Sequence, residues 1–186
     1  MVVLEGLGLN VSGATTTGKA ALTVFFQDLM EASAAAGSCL FTTYAVLPPA
    51  LVKHPNNIIV RMVCGMFPSM GGLVGFMHNH PGALGINAPG TLPHPYAYKL
   101  LTGVKMNIGR FVRAGERIYN LERLVNVRQG LYDSDTLPER LTAQPQVGGD
   151  GKSVVRLEKM LKKYYRLRGW DKHGVPKRKR LSKLGL

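Results

Sequence analysis

The sequence predicts a mainly α-helical chain, and three observations carry that prediction. Apolar residues recur at spacings of three and four over residues 18–36, 107–130 and 155–168, the period of one helix face. Glycines stand where each stretch should end, at Gly37, Gly130 and Gly169, as left-handed helix exits require. The composition is that of an ordinary globular chain: 186 residues, 45% hydrophobic and 19% charged, enough to bury a core without disulfides. Residues 1–186 are therefore read as a single helical domain or a fragment of one.

Residues 1–17 are rich in Gly, Ser and Thr, read as extended or irregular, and are assigned no element. From Gly18 to Ala36 the positions Leu22, Phe25, Phe26, Leu29, Met30 and Ser33 follow helical spacing. Residues 45–95 form an irregular Gly/Pro-rich middle, expected to be an insertion, with turns at Pro48-Pro49, His54 to Asn57 and Gly82 to Pro95. Ile58 to Met66 is expected to be helical within it. The apolar run from Ile58 to Met77 has the length of a membrane span. Arg61, Pro68 and Gly71-Gly72 interrupt it, so a buried helix followed by a loop is expected instead, with no membrane contact. His78, His80 and His94 are metal-ligating by type, but their spacing fits no zinc motif, and they are read as loop histidines. No Asp or Glu lies between Glu31 and Glu116, which excludes paired-carboxylate catalysis from the middle of the chain.

Tyr96 to Val104 leads through Gly103 into the stretch around which the chain is organised. Phe111, Ala114, Ile118, Leu121 and Val125 are predicted to line the apolar face of a long helix, widened by Leu124 and Val127, with Asn107 as N-cap. Glu116, Asn120 and Arg123 form a polar row beside that face. Gly115 costs about 1 kcal/mol relative to Ala inside a helix, which predicts another backbone passing close by. Thr136 and Glu139 have the spacing of a capping box, with Pro138 in the first turn. Residues 142–153 are expected to form a surface loop. In the next helix Leu157, Met160, Leu161, Tyr164 and Leu167 share a side, and Trp170 follows its Gly169 exit as an anchor. Pro176 opens a short last helix that ends at Gly185 and carries Lys177-Arg178-Lys179-Arg180.

The net charge is +13, and Lys or Arg occupies thirteen positions between residues 152 and 183. A solvated basic helical surface is the reading adopted. A basic nucleic-acid module is supported by charge alone, without aromatic platforms or a binding fold. Two cysteines, Cys39 and Cys64, fit a reducing, cytoplasmic setting, and the N-terminus has no basic n-region of a signal peptide. Cys64, in an apolar Met-rich context, is read as core packing. By residue type alone Cys39, after a helix-ending Gly, is also a small buried hydrophobe.

Four blocks in the last half carry a resemblance: GERIYNLERLVNVRQG at 115–130, DTLPERL at 135–141, YYRLRGWDKHGVP at 164–176 and KLGL at 183–186. Their order and spacing resemble the C-terminal part of the aldehyde ferredoxin oxidoreductase family, tungsten-pterin iron–sulfur enzymes. Residues 18–44 resemble it more loosely. The resemblance implies a multi-helical C-terminal domain of an enzyme that oxidises aldehydes to carboxylic acids and passes electrons to ferredoxin. It places Cys39 where the family has the last of four ligands to a [4Fe–4S] cluster. The family's pterin-binding Asp falls at Ala34, and the apolar residue before the Cys is Ser38. A [4Fe–4S] cluster takes four thiolates, and the family's other three lie in an upstream motif absent from these 186 residues. Cys39 could therefore only complete a cluster, with a partner N-terminal portion or subunit supplying the rest. In that setting the chain would wall a tungstopterin pocket, and its basic surface could help dock ferredoxin or a similar acidic carrier. The residues that approach the metal lie upstream in the family, so no catalytic residue is assigned, and the isolated chain is expected to be inactive. The competing reading is a non-catalytic helical relic or partner subunit, favoured by Ala34.

Overall fold

In the computed structural model, residues 18–38, 93–145 and 154–186 are described, together with positions 57, 58, 62, 76, 79 and 80. Six helices are described over their whole length: α1 (Lys19–Ala35), α2 (His94–Thr102), α3 (Ile108–Arg128), α4 (Glu139–Ala143), α5 (Leu157–Arg168) and α6 (Arg178–Leu184). The described residues contain no strand, only a single antiparallel bridge between Trp170 and Pro176. The mainly helical fold class read from the sequence is thus the one observed. Ile58 and Met62 are helical positions but 80% and 69% exposed, so the burial expected there is not found at these two positions, while the rest of 58–66, Cys64, His54 and His78 lie outside the described residues.

α3 is the spine. Asn107 caps it, its side chain accepting from the Arg110 amide at 2.8 Å, and the chain leaves through Gly130 at φ +81°. Its first turns pack on α1: Phe111 and Val112 join Leu29 and Ala32 in one core, with Phe25, Met106 and Ile108 against it. The close approach predicted from Gly115 is present. A Cβ at that position would lie 1.7 Å from the Asp28 carbonyl oxygen, so only glycine lets the backbones of α1 and α3 meet there. α5 packs on α1, and α6 is tied to α3 where Arg113 donates to the Lys183 carbonyl at 2.6 Å.

Four expectations are corrected. The buried face of α3 is not the full apolar stripe: Leu121 is 46% and Val125 53% exposed, while Glu116, Asn120 and Arg123 are buried. The polar row wins because each of its members meets a dedicated partner, which removes the cost of burying it. The same holds in α1, where Asp28 and Ser33 are buried and Phe26 is 36% exposed. The capping box does not form. The residue before a proline is driven to extended backbone, Pro138 itself is extended at ψ 137°, and α4 begins with no side-chain cap. His94 is not a loop histidine. It opens α2, is 7% exposed and stacks on Phe111 at 6.0 Å between ring centroids.

Burial holds the His94 imidazole below its ordinary pKa. The unfolded chain therefore takes up that proton first as the pH falls, and stability drops from about pH 6.5 down through the lower folded value. His94→Phe should flatten that part of the stability profile, as read by denaturant unfolding at several pH values.

Candidate functional site

The segment that leads to Cys39 is built by the end of α1. Gly37 takes φ +75°, its amide donates to the Ala34 carbonyl at 3.0 Å, and the Ser38 amide donates to the Ser33 carbonyl at 3.0 Å. This reciprocal pair is a Schellman closure, which satisfies the last carbonyls of a helix and fixes the direction in which the chain departs. Cys39 is the next residue and lies outside the described residues. Ala34, Ala35 and Ala36 are exposed on the last turn, and Ser33 is anchored inward, its hydroxyl donating to the Leu29 carbonyl at 2.8 Å.

α1 is held in place by a buried polar frame. Arg168 at the end of α5 and Asp28 in the middle of α1 form an ion pair in which both side chains are 0% exposed. The Arg168 guanidinium also donates to Gln27 Oε1 at 2.8 Å and lies 4.0 Å from the centre of the Tyr119 ring. The Tyr164 hydroxyl accepts from Arg168 Nε at 3.2 Å and sits 2.8 Å from Gln27 Oε1 and 3.0 Å from the Tyr119 hydroxyl. Burial works against the guanidinium charge; the Asp28 carboxylate and the Tyr164 hydroxyl outweigh it, and the Arg168 pKa is raised. Burial likewise pushes the Tyr164 phenol up, so it stays protonated.

Beside this frame, the Trp170 indole N–H donates to Asn120 Oδ1 at 2.8 Å, and Asn120 Nδ2 donates to the Glu116 carbonyl at 2.8 Å. Arg123 donates to both Asp135 carboxylate oxygens, at 2.9 and 2.6 Å, and to the Gly174 carbonyl at 2.8 Å, with its guanidinium 4.9 Å from the Trp170 ring centre. The Tyr165 hydroxyl also binds Asp135; burial, then that carboxylate, raises its pKa. The loop that makes this possible is closed by Asp171, whose Oδ1 accepts from the His173 and Val175 amides at 2.9 and 3.0 Å. Glu116 pairs with Arg180, at 5% and 10% side-chain exposure. Of the tetrad read as a solvated face, Lys177, Arg178 and Lys179 are exposed, but Arg180 belongs to this interior. The reading of Trp170 as an anchor holds, at 4% exposure.

Asp28, Arg168 and Arg123 were missed as structural centres. One signal was available for Arg168. It stands four residues after Tyr164 and seven after Leu161, inside the apolar register of α5, where a charge is costly unless a partner waits.

Among the described residues no group of three or more His, Cys, Asp or Glu side chains could hold a metal ion. His80 makes local contacts, stacking on Phe76 at 4.3 Å, with Nδ1 3.0 Å from the Phe76 carbonyl. No described helix is long and apolar enough to cross a membrane. The described residues form the helical frame that precedes the Cys39 segment in the chain.

A helical domain clamped by buried arginine–carboxylate pairs, with a cysteine directly after the turn that ends its first described helix, is the class of protein these features define. The chain belongs to the aldehyde ferredoxin oxidoreductase family: the family model for domains 2 and 3 matches residues 1–186. Among its relatives, the tungsten-containing aldehyde ferredoxin oxidoreductase of Pyrococcus horikoshii is 30% identical over 171 residues, 90% of this chain and 21% of that protein. Those of Pyrococcus abyssi and Pyrococcus furiosus are 47% and 43% identical over 79 residues, 41% of this chain and 13% of each relative. The chain therefore spans about a fifth or less of the length of these relatives.

Proposed function

We propose that this chain is the C-terminal part of an oxidoreductase that converts an aldehyde to a carboxylic acid and delivers electrons to ferredoxin. In this reading Cys39 is the single ligand the chain gives to a [4Fe–4S] cluster, and an N-terminal portion or subunit supplies the other three thiolates and the tungstopterin. When bound, the cluster supplies one-electron transfer. The chain's own contribution is positional: the Asp28–Arg168 pair and the Gly115 contact hold α1, and the Schellman closure at Gly37 sets the direction in which the Cys39 segment leaves. That closure, placed directly before the cysteine, is the observation that carries the reading.

A second reading, a helical module whose cofactor role has lapsed, is favoured by Ala34. A methyl group stands where the family places a carboxylate toward the pterin, so this position offers no hydrogen bond to a cofactor.

Co-production with the N-terminal portion of a relative tests the first reading against the second. The complex should show the broad visible absorbance of an iron–sulfur cluster and about four irons per complex. Cys39→Ser should lose most of that absorbance, and Cys64→Ser should keep it. Full absorbance with Cys39→Ser, or none with the unaltered chain, would overturn the proposal.

A further inference from the structure

The outward face of α5 carries a charge pattern that neither the core nor the thiol segment uses. Arg156, Lys159, Lys162, Lys163 and Arg166 are all exposed. At about 100° per residue these five cations fall within about 120° of helix circumference, opposite Arg168. The stripe continues past the helix end, because the Lys177 amide donates to the Gly169 carbonyl at 3.2 Å and brings the exposed Lys177, Arg178 and Lys179 alongside. Among the described residues no ion pair involves these cations, and the one acid beside them on α5 is the exposed Glu158, four residues before Lys162. The two cations of this lobe with buried carboxylate partners are Arg168 and Arg180, and they point inward. The acids between residues 154 and 186 are Glu158 and Asp171, and Asp171 is engaged in closing its own turn. A one-signed helical face of this kind raises encounter rates with an oppositely charged partner and sets orientation more than it adds affinity.

We propose that the exposed face of α5, continued by Lys177, Arg178 and Lys179, is the docking surface for a small acidic protein. The charge pattern stands by itself; the choice of a protein partner rests on the redox reading above, in which an acidic electron carrier must meet this chain. One further observation favours a protein over a single-stranded nucleic acid. The aromatic rings of this lobe, Tyr164, Tyr165 and Trp170, pack on one another at centroid distances of 5.8–6.2 Å and supply no platform for bases.

The test measures binding of a purified ferredoxin to the full chain by calorimetry or surface capture over a range of salt. The ferredoxin should bind at low salt and weaken steeply as salt rises. Replacing Lys159, Lys162, Lys163 and Arg166 by Glu should lower its affinity about 30-fold, and replacing the same four by Gln about five-fold. Replacing Lys99, Lys105, Arg117 and Arg128 by Glu, an equal change of net charge on α2, α3 and the loop between them, should cost less than about three-fold. Far-UV circular dichroism and thermal melting report whether each variant is folded; the exposed positions predict little change. Equal losses from the two Glu sets would show a response to net charge alone and overturn the docking surface. A mixed-sequence DNA duplex, or vesicles of anionic lipid, binding more tightly than the ferredoxin would overturn the choice of partner. Cluster formation through Cys39 is read separately, so failure of the docking surface and failure of the redox reading are distinguishable.

Discussion

Arg168→Met should lower the unfolding free energy by about 3–5 kcal/mol, because it leaves Asp28 as an uncompensated buried charge. Both side chains of the pair are fully buried, and the guanidinium has no solvent to which it could retreat. Asp28→Leu should cost a similar amount for the mirror reason. The double variant, Asp28→Leu with Arg168→Met, should recover most of the loss, since exchanging a whole buried pair for apolar groups of similar volume is often neutral or stabilising. Recovery should stop short of complete. Gln27 loses one of its two donors, keeping the Tyr164 hydroxyl, and Tyr119 loses a cation 4.0 Å from its ring centre. Denaturant unfolding followed by circular dichroism measures all three variants. Single variants that lose less than about 1 kcal/mol, or a double variant that loses the sum of both, would contradict the role given to the pair. The pair spans 140 residues of sequence and joins α1 to α5, so its loss should also loosen the Schellman turn before Cys39.

Gly115→Val should be nearly as damaging, at about 3 kcal/mol or more. Its Cβ would overlap the Asp28 carbonyl oxygen, and that obstacle is backbone, which cannot swing aside as a flexible side chain would. The only relief is to separate α1 from α3, which opens the Leu29–Ala32–Phe111–Val112 core. Gly115→Ala gains about 1 kcal/mol of helix propensity and should still destabilise, which distinguishes a packing requirement from an intrinsic preference. Leu121→Ala and Val125→Ala on the same helix should change stability by less than about 0.5 kcal/mol each, because they are half exposed. A larger loss at Leu121 than at Gly115 would restore the apolar stripe as the buried face.

The helices, their caps and their exits were legible because those signals are local. Asn107, Gly37, Gly130, Gly169 and Gly185 each act on their own turn, and all are found at or beside helix ends. The close approach at Gly115 was legible because a helix-interior glycine carries a cost that needs a reason. The capping box failed on a local competitor, Pro138. The buried faces failed for a different reason. An apolar periodicity assumes that polar residues face water, and α3 buries Glu116, Asn120 and Arg123 because their partners arrive from between residues 135 and 180: Trp170 for Asn120, Asp135 and Gly174 for Arg123, Arg180 for Glu116.

By itself, then, the sequence determined that the chain is helical, about where α1, α3, α5 and α6 begin and end, and, through four spaced blocks, which family it resembles. These follow from backbone preferences and residue order, which each segment carries along its own length. Only the tertiary structure decided which faces turn inward and that charged side chains, Asp28, Arg168, Glu116 and Arg180, hold the helices together. The physical reason is that burying a charge or an amide is unfavourable until a partner neutralises it, and for Asp28 with Arg168 and Glu116 with Arg180 the two halves lie far apart in the chain.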